Sequence, residues 1–85
     1  MTETFQVRVK LFAAAKQLAC QEAVVVELPQ LATIATLRAA LAEQFPPLAP
    51  LIGRAMFSID LDYATDKTAI PPHAEIACIP PVSGG

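Results

Sequence analysis

Charge is what this chain has least of: Asp, Glu, Lys and Arg make up 16% of its 85 residues, where globular domains average about 25%. The six basic residues (Arg8, Lys10, Lys16, Arg38, Arg54 and Lys67) are scattered and the net charge is -2. Such a chain has no phosphate-neutralising stripe, which excludes nucleic acid as a partner. Cysteine is sparse too. Cys20 and Cys78 stand far apart without a CxxC spacing, and the single histidine, His73, has no second ligand near it in sequence. Neither a zinc site nor a redox pair is indicated, and both cysteines read as buried free thiols. No apolar run approaches the length of a membrane span, and the opening MTETFQVRVK lacks the basic and apolar regions of a signal peptide, so a cytoplasmic address is expected. GxGxxG, GxxxxGKS/T and GxSxG are all missing, which removes the nucleotide, cofactor and nucleophile-elbow fingerprints. No bound cofactor and no metal are expected.

What the chain does have is apolar surface, at 54% of residues. A chain of this length encloses one core. The surplus is either alanine in ordinary packing, as in Ala13-Ala14-Ala15, or an exposed patch for another protein to cover.

Gln6 to Phe12 alternates apolar and charged residues, the period-two signature of a strand with Val7, Val9 and Leu11 inward. By the same parity Phe12 falls on the outer face with Arg8 and Lys10, where no core needs an aromatic ring. Ala13 to Ala19 reads as a short helical turn. Ala23 to Leu28, with three consecutive valines, reads as a second strand that Pro29 ends, paired antiparallel to the first. From Thr33 the period changes: Ile34, Leu37, Leu41 and Phe45 form one stripe of an amphipathic helix, with Thr33 as N-cap and Pro46-Pro47 as its stop.

Pro46 to Gly53 is too rich in proline for regular structure and is expected to be irregular, with Leu48, Leu51 and Ile52 tucked under the core. Phe57, Ile59 and Leu61 alternate with Ser58, Asp60 and Asp62, giving a third strand with its acids outward, and Tyr63 to Thr65 a brief fourth. Asp60 and Asp62 on one strand face read as solvated surface, since no pocket is expected around them for acid-base work. Turns at Asp66-Lys67-Thr68 and Pro71-Pro72-His73 lead to the last strand, Glu75 to Ile79. Its parity puts Ile76 and Cys78 inside and leaves Ile79 outside with Glu75 and Ala77. If the first and last strands are neighbours, Phe12 and Ile79 form one apolar patch beside the start of the tail.

The tail is PPVSGG. Pro80 and Pro81 stiffen the chain and offer no N–H to a neighbouring strand, so the segment is expected to project, over at most roughly 20 Å. Gly84 and Gly85 carry no Cβ, which suits passage through a narrow channel and leaves the terminal carboxylate unobstructed. That carboxylate is a poor electrophile until it is activated, for example as an acyl adenylate. The expected organisation is a domain over residues 1–79 and an extended tail over residues 80–85.

VRVKLFA, TLRAAL and EIACIPPVSGG resemble the molybdopterin synthase small-subunit family of ubiquitin-like sulfur carriers, over nearly the whole chain. The resemblance implies an α+β, ubiquitin-like β-grasp fold: a mixed four- to five-stranded sheet packed on one main helix, with a flexible Gly-Gly tail. It implies that an ATP-dependent adenylating, ubiquitin-activating-like enzyme acts on Gly85 and that a sulfur donor protein converts Gly85 to a thiocarboxylate. The tail residues Pro80, Pro81, Val82, Ser83 and Gly84 then enter the large synthase subunit, where sulfur passes to a cyclic pterin phosphate. Activity resides in that partner, in a two-plus-two complex. Phe12 and Ile79 match positions the family uses against the large subunit, and Tyr63 extends the same surface. The chain departs from the family at Asp60, where asparagine is common, and at His73-Ala74, where Gly-Asp usually forms the turn. A carrier for thiamine or tRNA thiolation, a ubiquitin-like protein modifier, and a β-grasp binding module with an incidental Gly-Gly end remain as alternatives.

Overall fold

The computed structural model describes residues 3–81. Its elements run β1 (Thr4–Leu11), α1 (Ala13–Ala19), β2 (Ala23–Pro29), α2 (Ile34–Gln44), a 3-10 turn (Pro46–Leu48), α3 (Ala49–Ile52), β3 (Met56–Ile59), β4 (Asp62–Ala64) and β5 (Glu75–Ile79). The five strands form one mixed sheet in the order β2-β1-β5-β3-β4. β1 is antiparallel to β2 and parallel to β5, while β3 is antiparallel to both β5 and β4. This is the β-grasp arrangement, with a long helix against one face of the sheet.

The alternating pattern places Val7, Val9, Leu11, Val24, Val26, Leu28, Phe57, Ile76 and Cys78 in the core. Ile34, Leu37 and Leu41 meet them from α2, all fully buried. Side chains of this size each contribute roughly 1.5–3 kcal/mol when taken out of water. Phe45, the fourth residue of the expected stripe, is the C-cap of α2 and only partly buried against the core. Thr33 caps the other end: its hydroxyl accepts from the Thr36 N–H, and the Thr36 hydroxyl accepts from the Thr33 N–H. The pair is a capping box built from two threonines.

Three expectations are corrected. Pro46 to Gly53 is helical for most of its length, because Pro46 and Pro50 occupy first-turn positions where the missing N–H costs nothing. Leu48 and Ile52 are buried as anticipated. The third strand stops at Ile59 rather than continuing through Leu61. Asp60 (φ 49°) and Leu61 (φ 76°) form a two-residue loop, closed by the Ile59–Asp62 pair. Positive φ at both central residues is the type I′ hairpin geometry, which leaves Leu61 96% exposed at the tip. Asp60 and Asp62 therefore do not share a strand face. Cys20, finally, is exposed; only Cys78 is buried. Cys20 is the C-cap of α1 in the left-handed region (φ 57°), which turns its side chain away from the core.

One arginine ties the helical layer to the sheet. Arg38 Nη1 donates to the carbonyls of Ile52 and Ala55, each at 2.7 Å, and Nε donates to Asp66 Oδ1 at 2.7 Å. Its guanidinium lies 5.0 Å from the centroid of the Phe57 ring. Burial pushes the nearby Cys78 thiol up to about 11, against the opposing pull of the Arg38 charge. Among the described residues no helix is long and apolar enough to cross a membrane.

Candidate functional site

The sheet has one face under α2 and one face open, and the open face carries the candidate site. Lys10 pairs with Ala77, Ala77 with Ser58, and Ser58 with Tyr63, so these four form a row across β1, β5, β3 and β4. One step along, Leu11 is opposite Cys78, which brings Phe12 beside Ile79; Ile79 in turn pairs with Met56. Phe12 keeps an extended backbone (φ -124°, ψ 153°) before α1 begins, so its ring stays on the open side, 46% exposed. Met56 and Tyr63 are also well exposed, and Ile79 is half-buried.

The small side chains of Ala77 and Ser58 leave a shallow trough of about 120 Å³, with Phe12 at one end and Asp60 and Leu61 at the other. The floor is apolar except for Ser58, the one buried polar residue among those described. Lys10 Nζ pairs with Glu75 Oε1 at 3.2 Å along one wall, both side chains half exposed. Asp60 holds the far wall: the Glu75 N–H donates to Asp60 Oδ1 at 3.0 Å, and the Asp60 N–H donates to the Glu75 carbonyl at 2.8 Å. The departure at Asp60 is thus accommodated, since aspartate tolerates the left-handed region and its carboxylate clamps the turn. His73 also sits at positive φ (65°), the position a glycine takes without steric cost.

Phe12 and Ile79, anticipated from parity, lie on the open face, and Tyr63, which the resemblance added to the same surface, lies there as well. Met56 and Leu61 were not anticipated. Met56 was findable, because its parity with Ser58 flags an outward apolar residue just as it does for Phe12. Leu61 was not, because an Asp-Leu pair gives no signal of a type I′ turn. Pro80, counted with the tail in the sequence, is buried, and Pro81 is exposed. β5 ends at the Phe12–Met56 end of the trough, so the patch borders the point where the tail begins. Val82, Ser83, Gly84 and Gly85 lie outside the described residues. No group of three or more His, Cys, Asp or Glu that could hold a metal occurs among the described residues. Such a surface, apolar and rimmed by charged side chains, can dock a protein.

Residues 9–85 match the ThiS family. The chain belongs to that family. It is 35% identical over 81 residues to a molybdopterin synthase sulfur carrier subunit of Caenorhabditis briggsae, covering 93% of this chain and 96% of that protein. The corresponding subunit of Arabidopsis thaliana is 29% identical over 84 residues, 99% of this chain and 88% of that protein. Among solved structures, SAMP1 of Haloferax volcanii superimposes with a TM-score of 0.81 at 26% identity, covering 94% of this chain and 99% of that one. A putative molybdopterin converting factor subunit 1 from Pyrococcus furiosus has a TM-score of 0.80 at 20% identity, covering 92% and 99%, and supports the fold. The resemblance read from VRVKLFA, TLRAAL and EIACIPPVSGG is thus borne out at the level of the family.

Proposed function

We propose that this ThiS family chain is the sulfur carrier of molybdopterin synthase, with Gly85 as the cargo-bearing residue. The observation that carries the reading is end-to-end similarity to two molybdopterin synthase sulfur carrier subunits, in a chain that finishes on Gly84-Gly85.

The chemistry follows from what a carboxylate needs in order to accept sulfur. The Gly85 carboxylate attacks the α-phosphate of ATP on an activating enzyme, forming an acyl adenylate and releasing pyrophosphate. A sulfide equivalent from a donor protein attacks the acyl carbon and expels AMP, leaving a thiocarboxylate. In the large subunit the thiocarboxylate sulfur attacks a carbon of a cyclic pterin phosphate and displaces an oxygen leaving group there, and hydrolysis of the resulting thioester leaves the sulfur on the pterin and returns the carboxylate. A dithiolene needs two sulfurs, so the carrier docks, leaves and is recharged. The trough flanked by Phe12, Met56 and Ile79 is the docking face, and Gly84 is the slim residue that lets the terminus reach the reacting carbon.

Intact-mass spectrometry after co-expression with an activating enzyme and a sulfur source tests this. A species heavier by the exchange of one oxygen for one sulfur at Gly85 is expected; only unmodified carboxylate, with the enzyme shown to be active, refutes it. The likeness to SAMP1, a small archaeal modifier protein, favours a second reading in which Gly85 forms isopeptide bonds with lysines. Recovery of the chain covalently attached to other proteins would select that reading. A carrier for thiamine or tRNA thiolation shares the tail chemistry and is separated by which protein a pull-down retains.

A further inference from the structure

β2 lies at one end of the sheet with no strand beyond it. Open edges of this kind invite pairing with another chain. The Leu11 N–H donates to the Glu22 carbonyl and the Gln30 N–H to the Glu3 carbonyl, which sets the phase of the β1–β2 ladder. The even-numbered residues of β2 bond to β1, and Ala23, Val25, Glu27 and Pro29 aim their backbone groups at the open edge. Pro29 has no N–H to offer. At Glu27 the edge is already occupied: its N–H donates to Gln44 Oε1 at 3.3 Å, and its carbonyl accepts from Gln44 Nε2 at 3.1 Å. A carboxamide carries one donor and one acceptor, as a peptide group does, so Gln44 stands where a neighbouring strand would. Among the described residues nothing takes the Val25 backbone groups.

We propose that the β2 edge is a pairing surface for a second copy of this chain, and that Gln44 keeps it shut. The edge is self-complementary about Val25. With β2 antiparallel to the β2 of a copy, Val25 meets Val25 through two backbone bonds, and each Ala23 meets the other's Glu27 through two more. No like charges are brought opposite one another, and the half-exposed Val25 side chains cover each other. Gln44 blocks both outer pairs and leaves only the central one. Gln44 is itself exposed at the last position of α2, and among the described residues these two are its only side-chain hydrogen bonds.

Sedimentation velocity over a concentration series on the full chain tests this, with amide exchange as the local readout. Gln44→Ala should tighten dimerisation at least about tenfold, since it opens the outer pairs. Adding Val25→Lys to Gln44→Ala sets two ammonium groups side by side and should restore wild-type sedimentation. In the wild type the Glu27 amide should exchange more slowly than that of Val25, and in dilute, monomeric Gln44→Ala the two should become alike. Wild-type association by Gln44→Ala, association that Val25→Lys leaves unchanged, or Glu27 and Val25 amides exchanging equally fast in the wild type would each overturn the proposal.

Discussion

Replacing Arg38 by alanine should cost far more than its one ion pair suggests. The visible pair, to Asp66, is largely at the surface, where the carboxylate is 59% exposed; such pairs contribute about 0.5 kcal/mol. The two part-buried carbonyls are different. Ile52 and Ala55 each lose a bond from a charged donor, at about 1.5–2 kcal/mol apiece. Loss of the guanidinium over Phe57 adds about 0.5 kcal/mol. The total is about 4–5 kcal/mol, against a whole-domain stability of about 4–13 kcal/mol at this length. Arg38→Ala should thus stand near the edge of unfolding at room temperature. Urea denaturation followed by circular dichroism at pH 7, with an unchanged m-value, measures the loss. Arg38→Lys should cost about half as much, because one ammonium cannot span both carbonyls and Asp66. Asp66→Ala should cost about 0.5 kcal/mol. If Arg38→Ala and Asp66→Ala prove equally destabilising, the carbonyl lock carries nothing and the reasoning fails. The lock bears on the proposed docking face as well, since the segment it holds, Ile52 to Ala55, delivers Met56 to the open side of the sheet.

The buried thiol gives a pH signature. With its pKa raised to about 11 in the fold, Cys78 retains its proton in the native state above the point where the unfolded chain has lost it. Stability is then fully present below about pH 9 and falls as pH rises towards 11, with a slope approaching 1.4 kcal/mol per unit; in pH-dependent urea titrations Cys78→Ala should flatten that slope. A thiol reagent at pH 8 should label the exposed Cys20 at once and Cys78 only on unfolding, as peptide mapping would show. His73→Gly should stabilise the domain by about 0.5–1 kcal/mol in thermal melts, because glycine takes φ 65° without strain. Phe12→Asp should leave urea stability within about 0.5 kcal/mol of wild type, since the ring is half exposed, yet weaken binding to the large synthase subunit by about thirtyfold or more in calorimetry. Undiminished binding would remove Phe12 from the docking face.

Periodicity made most of the core legible. Val7, Val9 and Leu11 at period two, and Ile34, Leu37 and Leu41 at helical spacing, could be buried in only one way each. The candidate site was legible for the opposite reason: Phe12 and Ile79 break the parity of otherwise orderly strands, and an apolar residue on the wrong face calls for a partner. Leu61 escaped notice because it obeys parity up to a turn that carries no glycine or asparagine. The helical path of Pro46 to Ile52 escaped because proline marks a helix start as readily as a stop. Cys20 could not be placed because exposure at a helix C-cap depends on one left-handed residue that nothing in AKQLACQE announces.

By itself, then, the amino-acid order determined which face of each element is apolar, where the long helix begins, and that a pair without side chains, Gly84-Gly85, follows the stiff Pro80-Pro81. Those properties are local, set by spacing and by single residues. Only the tertiary structure decided that β5 lies beside β1 and that Met56 stands next to Ile79. It also placed Asp60 to clamp Glu75, Arg38 to reach two carbonyls and Gln44 to close the β2 edge. Each of these joins residues distant along the chain, and such pairings are chosen by closing the whole sheet around one core, which no local pattern encodes.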